Sequence, residues 1–293
     1  MTDGRVKNRQ MPQIFLATCA DLPRGEPGGE LLTAALAARG VEAAWVAWDD
    51  PGVDWSAAEV VAVRSTWDYH RRTAQFLAWA RHVETGTRLL NGSELFAWNA
   101  DKSYLVDLDL PHVPTALLDD RSGLAAFADG WGRCVVKPRV GASGVGLVVV
   151  DAADDAQRLD GGPWVVQPLV ESVRTDGESS VFVFAGVAVS QVDKHPGGDE
   201  VRVHEEYGGR SSAALLDGDR AAVAERAVAH VGERFGQLPA YARVDLMRWQ
   251  DAWVIGELEL IEPGLYLDVD PSAAGPFVDM VANLLGPCGV PGM

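Results

Sequence analysis

The N-terminal third of the chain alternates short apolar segments with helical segments, and this alternation restricts the fold more than any other feature. Strands that alternate with helices predict a parallel, doubly wound sheet, because parallel strands need crossover connections. Ligands of such sheets bind beyond the carboxyl ends of the strands, where the polar run 64–69 lies. The segments are strands over 13–20, 41–48 and 60–66, and helices over 30–40 and 73–83.

The remainder of the chain has consecutive strands joined by short connections, which predicts α+β lobes. A helix over 93–108, with Ser93 as its N-cap, precedes the segment 111–118 and a short helix near 121–129. We expect a polar extension over 1–10, an N-terminal domain over 11–92, a small lobe over 93–170 and a C-terminal lobe over 171–293. The later segments are strands over 133–139, 146–151, 164–171, 179–186, 187–194, 241–249 and 253–261, a charged loop over 195–212, and helices near 219–235 and 276–286.

Composition excludes several classes of function. The net charge of −17 argues against nucleic acid as a partner, because phosphate binding needs a basic face. A membrane span is not expected, since no apolar run approaches about 18 residues, and the first ten residues lack the apolar region of a signal peptide. Cys19, Cys134 and Cys288 are widely spaced and odd in number, which favours a reduced cytoplasmic setting.

Lysine is scarce in this chain, which has four lysines and 21 arginines. The lysine ammonium is a compact point charge that can approach a phosphate oxygen without the planar demands of a guanidinium. Lys7 lies in the polar extension, whereas Lys102, Lys137 and Lys194 lie in segments predicted to be structured. These three lysines are therefore candidates for a specific role.

A glycine-rich turn over 141–146 connects two predicted strands. Leu147 and Val148 stand where a P-loop would have its lysine and hydroxyl residue, so a Walker site is rejected. A hairpin rich in backbone N–H groups that carries Ser143 can fold over phosphates; an ordinary hairpin turn is the alternative. Lys137, four residues before the turn, is costly to bury without an anion, although its ammonium can also extend to solvent.

Three carboxylates occupy two neighbouring strands near the C-terminus. Asp245 lies on one strand, and Glu257 and Glu259 share a face of the next because they are two residues apart. Hard oxygen ligands from adjacent strands suit Mg²⁺, with Glu262 as a further acid nearby. The alternative is a hairpin whose glutamates face solvent.

These motifs, in this order, resemble the ATP-grasp superfamily over about residues 93–285, and the N-terminal sheet resembles it in architecture. The resemblance implies an α/β and α+β fold, with an N-terminal Rossmann-like parallel sheet and two α+β lobes that grip ATP. Lys102 in WNADKSYL and Lys137 in VVKPRVGASGVG resemble the family's phosphate-binding lysines. The resemblance also implies nucleotide contacts from the hairpin, from a hinge strand and from a ribose-binding acid: Ser143, Gly144, Gln167, Leu169, Val170 and Glu178.

The same resemblance implies the catalytic end of the site. Lys194 stands where the family places a basic residue near the transferred phosphate, and Arg243 resembles the arginine that steadies an acyl phosphate. Asp245, Glu257 and Glu259 match the metal ligands, for one or two Mg²⁺ ions or for Mn²⁺ instead. The third ligand is more often Asn in the family, so Glu259 departs from the pattern.

Within the superfamily the chain resembles the glutathione-synthetase-like branch. The stretch 199–210 is similar to a loop that presents an arginine, here Arg202, to substrate, and it adds His204 and Gly209 as substrate candidates. RSTWDY and ELELIEPGLYL further resemble a bacterial group that includes the cyclo-ligase making D-cycloserine from O-ureido-D-serine. Further candidates for substrate recognition are Arg64, Asp68 and Tyr69, whereas Trp67 is expected to pack.

The resemblance implies an ATP-dependent carbon–nitrogen ligase that activates the carboxylate of a small amino-acid-like molecule as an acyl phosphate. Antibiotic biosynthesis is a setting consistent with the cyclo-ligase likeness, and a homodimer is compatible with it. Two alternatives stay open: ring closure within one molecule, and a non-catalytic nucleotide-binding sensor. The metal-type acids together with Arg243 argue against a sensor, because a pure binder does not need them.

Overall fold

The computed structural model describes residues 12–151 and 153–286; the extension 1–10, Lys7 and Cys288 lie outside the described residues. Within them, thirteen strands form three sheets that are accompanied by six α-helices. The strands are β1 (Ile14–Thr18), β2 (Ala43–Ala47), β3 (Val60–Ser65), β4 (Arg88–Leu89), β5 (Ala116–Leu118), β6 (Cys134–Pro138), β7 (Val148–Val150), β8 (Trp164–Pro168), β9 (Glu178–Phe184), β10 (Val187–His195), β11 (Arg210–Ala214), β12 (Tyr241–Trp249) and β13 (Ala252–Glu259). The α-helices are α1 (Gly29–Ala38), α2 (Thr73–Glu84), α3 (Ser93–Asn99), α4 (Leu124–Trp131), α5 (Gly218–Phe235) and α6 (Ala274–Leu285). Short 3-10 turns occupy Trp55–Ala57, Tyr69–Arg72, Lys102–Leu105, Arg121–Gly123, Ala153–Arg158, Glu171–Arg174, Glu205–Tyr207 and Pro271–Ala273.

The N-terminal sheet has four strands in the order β2-β1-β3-β4, and all of its pairings are parallel. The predicted parallel sheet is therefore confirmed. Every residue of β1 and β3 is buried, as expected of strands that are covered on both faces. The sequence pattern did not predict β4, because two residues are too few to show a period. The chain leaves β3 towards Trp67 and Tyr69, at the carboxyl edge of the sheet.

The second sheet has the order β5-β8-β6-β7 and is antiparallel throughout. We call residues 116–168, which contain this sheet and α4, the small lobe. The glycine-rich turn connects β6 to β7, as predicted. Its backbone suits its composition, because Gly144 and Gly146 have positive φ angles of 64° and 78°.

The central sheet is antiparallel and has the order β11-β10-β9-β12-β13. Gln250 and Asp251 join β12 to β13 with φ angles of 48° and 65°, as two-residue hairpins require. Strand β11 was missed by the sequence analysis, which predicted a loop over 195–212. Its sequence RSSAA has no apolar alternation, and its extended form depends on pairing with β10.

The predicted continuous helix over 93–108 is wrong. Helix α3 ends at Asn99, and a separate 3-10 turn follows over Lys102–Leu105. Asp101 separates the two because its extended backbone lets its carboxylate accept from Ser103 N at 2.8 Å. Ser93 is the first residue of α3 and not its cap, and its hydroxyl binds the Glu84 carboxylate.

The outer edge of β13 is bonded at Ile255 to the backbone of residues 111–113 and is covered further along by side chains. Asn99 donates to Leu258 O at 2.9 Å and accepts from Leu260 N at 3.0 Å, and Leu258 N donates to the Tyr104 hydroxyl at 2.7 Å. These bonds satisfy backbone groups that an exposed edge would leave to water. They fix the strand that carries Glu257 and Glu259.

Two apolar clusters join the N-terminal sheet to the central sheet. One contains Val63 and Phe76 together with Leu246, and the other contains Leu36 together with Phe182. Helix α6 packs on α1 and so belongs to the same body. No helix in the described part of the chain is long and apolar enough to span a membrane, and the buried cysteines Cys19 and Cys134 are not in disulfides.

Candidate active site

A cleft of about 400 Å³ lies between the small lobe and the central sheet and extends to the N-terminal sheet. The glycine-rich turn, the hinge after β8, the facing strands of the central sheet and the segment after β13 all contribute to its lining. The predicted residues that line it are Tyr69, Lys102, Lys137, Ser143, Gly144, Gln167, Leu169, Val170, Glu178, Arg202, His204, Arg243, Asp245, Glu257 and Glu259.

Two of the scarce lysines meet at one carboxylate. Lys102 Nζ lies 3.0 Å from one oxygen of Glu257, and Lys137 Nζ lies 3.6 Å from the other. Burial alone would raise the pKa of Glu257, but the two lysine charges lower it below its usual value. Lys137 therefore faces the cleft and not bulk solvent, as its side chain is 17% exposed.

Lys102 is held by contacts to the small lobe. Its backbone N–H donates to Arg139 O at 2.8 Å, and its ammonium donates to Gly141 O at 2.8 Å. Asp101 accepts two hydrogen bonds from the guanidinium of Arg139, at 2.9 and 2.7 Å. The break between α3 and the 3-10 turn therefore places Lys102 against the start of the glycine-rich turn.

The centre of the cleft contains a buried charge network on β9, β10, β12 and β13. Asp245 binds the guanidinium of Arg243 at 2.9 and 2.8 Å, and Lys194 Nζ lies 3.5 Å from it. Lys194 also binds Glu178 at 2.5 Å, and Arg243 binds Glu259 as well. Each cation thus contacts two acids, which offsets the cost of burying these charges.

The network shifts the pKa values of its members. Burial alone would raise the pKa of Asp245, but Arg243 and Lys194 lower it well below its usual range. Burial would lower the pKa of Lys194, but Asp245 and Glu178 raise it above its usual value. Burial raises the pKa of Glu259 to about 7, with Arg243 opposing the rise and Asp245 reinforcing it.

The three acids predicted to bind metal lie on paired strands, and Asp245 is the register partner of Glu257. Their carboxylate oxygens are of the type that Mg²⁺ prefers. The carboxylates of all three acids, however, already form ion pairs with lysine or arginine. Among the residues of 12–151 and 153–286, no group of three His, Cys, Asp or Glu side chains is arranged to hold a metal ion.

The hinge after β8 forms another wall of the cleft. Gln167 is buried and donates to the Thr115 hydroxyl at 2.9 Å, so its amide already has a partner. Leu169 and Val170 are buried and present apolar surface. Met247, on β12, lines the cleft as well. This wall is suited to a flat apolar group.

The glycine-rich turn contacts the segment 199–209. A Cβ on Gly144 would lie 3.2 Å from the His204 ring and 3.3 Å from Arg202 Cδ, so the two segments are in close contact. Arg202 binds Glu200 at 2.5 Å, and its guanidinium lies 3.5 Å from the Tyr207 ring centroid. Burial, together with Lys194 and Arg243, lowers the pKa of His204 to about 4.

Three predicted substrate residues are not in the lining of this cleft within the described chain. Arg64 is fully buried, where it donates to Glu26 at 3.1 Å and to Pro263 O at 2.5 Å. Asp68 binds Arg72 and Trp48. Gly209 donates to His204 O at 3.0 Å and shapes the loop. Arg64 therefore supports the cleft wall and does not reach its interior.

Several cleft residues were not among the predicted site residues. Glu26 enters from the loop before α1, and no local sequence pattern marks it. Tyr266 lies near the charge network, with its ring centroid 5.8 Å from Lys194 Nζ and 5.6 Å from Arg243 Cζ. Trp67, expected to pack, lines the cleft and donates to Glu262 O at 3.2 Å.

The whole fold matches solved ATP-grasp ligases. A structure of the ATP-grasp ligase PsnB with its minimal precursor superposes with a TM-score of 0.65 at 18% identity, covering 94% of this chain and 99% of that one. The crystal structure of D-cycloserine synthetase DcsG gives a TM-score of 0.81 at 31% identity, covering 93% of this chain and 99% of that one. Fold and cleft together define an ATP-grasp ligase, an ATP-dependent enzyme.

The sequence comparison is more specific. Residues 14–91 match the family model described as D-cycloserine synthetase DcsG, N-terminal domain. The cycloserine biosynthesis protein DcsG of Streptomyces lavendulae is 34% identical over 276 residues, which cover 85% of this chain and 90% of the relative. The chain belongs to the family of D-cycloserine synthetase DcsG, within the ATP-grasp ligases. The non-catalytic sensor is thereby set aside.

Proposed function

We propose that the protein uses ATP to convert the carboxylate of a small amino-acid-like substrate into an acyl phosphate, which a nitrogen nucleophile then attacks. One observation carries the proposal: Lys102 and Lys137, from separate parts of the chain, meet at Glu257 in the cleft that Arg243 also lines, with Lys194 buried beside Asp245. Positive charge concentrated there suits transfer of a phosphoryl group, which depends on positioning and electrostatics and needs no protein nucleophile.

The nucleotide is proposed to lie between the small lobe and the central sheet. Leu169 and Val170 would contact the adenine, with Gln167 at its edge, because this wall is the apolar part of the cleft. Glu178 would bind the ribose hydroxyls. Lys102, Lys137 and Lys194 would then exchange part of their carboxylate contacts for phosphate oxygens.

Asp245, Glu257 and Glu259 are proposed to hold Mg²⁺, as one or two ions, with Mn²⁺ as a substitute. Bound Mg²⁺ would supply neutralising charge for the β- and γ-phosphates of ATP. The donor chemistry fits, since all three are carboxylates on paired strands, and they must first be released by their lysine and arginine partners. These carboxylates are now paired with lysine and arginine. Phosphate and Mg²⁺ would therefore bind together, because phosphate would pair with the cations and Mg²⁺ with the carboxylates that the cations leave.

The second half of the reaction is assigned to the arginines and the hairpin. Arg243 is oriented by Asp245 and Glu259, and it would stabilise the oxyanion that forms when nitrogen attacks the acyl phosphate. Arg202 would assist from the segment 199–209. Ser143 and Gly144, on the glycine-rich turn, would cover the phosphates and keep water from hydrolysing the intermediate.

Ring closure within one molecule is a second candidate. The 34% identity to a protein named for cycloserine biosynthesis favours it. The nitrogen and the carboxylate would then belong to one substrate. Mass spectrometry of the product separates the two candidates, because a cyclic product has the mass of one substrate less a leaving group, and an intermolecular product contains both substrates.

ADP release in the presence of O-ureido-D-serine and a panel of small amino acids tests the proposal. We expect Lys137→Ala to reduce turnover below detection, because the lysine contributes charge to phosphoryl transfer. Arg121→Ala is the matched control, as it removes an exposed cation from the same lobe away from the cleft, and it should keep wild-type turnover. Activity that survives Lys137→Ala would remove the phosphate role from this residue.

A further inference from the structure

The end of the cleft nearest the N-terminal sheet is built from three distant parts of the chain. Glu26 comes from the loop before α1, Trp67 follows β3, and residues 262–268 follow β13. Trp67 donates to Glu262 O at 3.2 Å, and Leu265 N donates to Glu26 at 2.5 Å. We call this region, comprising Glu26, Trp67, Tyr69, Glu262, Gly264 and Asp268, the acidic end of the cleft.

Among the described residues, the acidic end carries negative charge that is not paired with lysine or arginine. The acids of the central network all contact lysine or arginine, and Glu26 contacts the buried Arg64. Glu262 is partly buried, and in the described part of the chain its carboxylate has no hydrogen bond or ion pair to another residue. Asp268, at the exposed rim, is likewise without a partner among those residues.

Tyr69 provides a second, independent observation. The residue is 5% exposed and lines the cleft, yet its hydroxyl has no hydrogen-bond partner among the described residues. Burial raises its pKa well above the usual value, and the charge of Glu262 raises it further. The Tyr69 hydroxyl is therefore free to hydrogen-bond a ligand that enters the cleft.

The acidic end adjoins the proposed reaction centre. Gly264 O accepts from Arg243 at 3.5 Å. A Cβ on Gly264 would lie 3.3 Å from the Trp67 ring and 3.7 Å from Glu26, so this glycine keeps the space open. A substrate whose carboxylate reaches Arg243 would therefore have its neighbouring atoms in the acidic end, beside Trp67 and Glu26.

We propose that the acidic end binds the ammonium group of the amino-acid-like substrate, with Glu262 as its ion-pair partner and Tyr69 and Asp268 as further hydrogen-bond acceptors. The assignment rests on the proposed function, since it takes the substrate carboxylate to lie at Arg243. An ammonium group fits because it offers several donors and one positive charge. Burial and the charge of Glu259 raise the pKa of the Glu262 carboxyl well above its usual value, and a bound cation offsets that cost.

Calorimetric binding in the presence of Mg²⁺ and a non-hydrolysable ATP analogue tests the assignment without requiring turnover. Two pairs of probes differ only in the amino group: O-ureido-D-serine against 3-(ureidooxy)propanoate, and D-serine against 3-hydroxypropanoate. We expect wild-type protein to bind at least one amino-bearing probe about tenfold or more tightly than its partner, as one charged hydrogen bond implies. Glu262→Gln, which keeps the shape of the side chain, should remove this preference and leave the binding of the analogue unchanged.

Glu59→Gln is the matched control. Glu59 is an exposed acid directly before β3, at the opposite end of the strand that leads to Trp67, and its substitution should preserve the preference. Equal binding of both members of each pair by wild-type protein would overturn the assignment, as would equal weakening of both members by Glu262→Gln or absence of binding by every probe. Amine-selective binding without ADP release would instead overturn the proposed function and leave the acidic end as a cation site.

Discussion

The small lobe and the body of the molecule are held in different ways. The body, formed by the N-terminal and central sheets, is joined through shared apolar clusters and through Tyr241, whose hydroxyl lies 3.0 Å from the carbonyl oxygens of both Val63 and Ile261. The small lobe has its own apolar cluster, whose residues all lie between 118 and 166. Its closest contacts to the body in the cleft are polar, through Lys102, Lys137 and Arg139.

This difference shows which of the contacts within the protein a bound ligand can replace. Apolar burial between the two sheets of the body is insensitive to phosphate or metal, so the body is expected to keep one arrangement. The polar contacts of the small lobe involve the lysines that are proposed to meet phosphate. Binding therefore changes the interface between lobe and body and leaves the interior of each region intact.

The largest effect is expected at Asp245, in the body. Asp245→Asn removes the charge shared by Arg243 and Lys194, and breaking a buried ion pair costs about 3–5 kcal/mol. Turnover should fall by about a factor of 10³ or more, because the orientation of Arg243 is lost. Urea unfolding and ADP release measure the two effects.

Two further variants complete that test. Lys137→Ala in the small lobe should abolish turnover while changing the unfolding free energy by only about 0.5 kcal/mol. Asp251→Asn, at the exposed end of the hairpin that carries Asp245, should change neither quantity. If Asp245→Asn unfolds at the wild-type urea concentration, the charge network does not contribute to stability as described.

The second prediction compares the same leucine-to-alanine substitution in the body and in the small lobe. Leu246 in the body and Leu124 in the small lobe are both fully buried, and truncation of such a leucine to alanine costs about 2–5 kcal/mol. Leu246→Ala should lower the free energy of global unfolding. Leu124→Ala should instead raise hydrogen exchange within residues 116–168 and leave protection of the body unchanged, because the apolar clusters are separate. Equal loss of protection in both regions after Leu124→Ala would show that lobe and body unfold as one unit.

The sequence predicted the parts of the fold that have local signals. The hydrophobic pattern located β12 at its observed bounds, and the scarcity of lysine pointed to three residues that line one cleft or lie buried in its charge network. The break after Asn99 was missed because the Asp101 carboxylate, which accepts from Ser103 N, is also held by Arg139, 38 residues away. No local pattern can report such a contact.

The charge pairing of the site was also beyond the sequence. Motif order placed acids and lysines in the same cleft, but it could not show that one carboxylate, Glu257, is shared by Lys102 and Lys137. It also placed Arg64 at the substrate, whereas its burial against Glu26 depends on a loop with no motif. Such contacts follow from packing between segments that are distant in sequence.

The smallest expected effect tests the contact between the two regions, at His204. Its pKa is lowered to about 4 by burial and by Lys194 and Arg243, against about 6.5 in the unfolded chain. Between pH 6.5 and 4 the unfolded chain therefore binds a proton that the folded protein does not, so stability should fall as the pH decreases through this window. One such group contributes at most about 1.4 kcal/mol per pH unit.

His204→Gln should make the loss of stability between pH 6.5 and 4 less steep, whereas His82→Gln, at an exposed position on α2, should keep the wild-type slope. Urea unfolding at a series of pH values measures both. Since His204 touches Gly144 of the small lobe, its protonation should also raise hydrogen exchange in residues 139–147 of the wild-type protein before the body unfolds. Identical slopes for His204→Gln and wild type would mean that His204 titrates alike in the folded and unfolded chains, and the lobe–body contact would then lack the buried neutral imidazole described here.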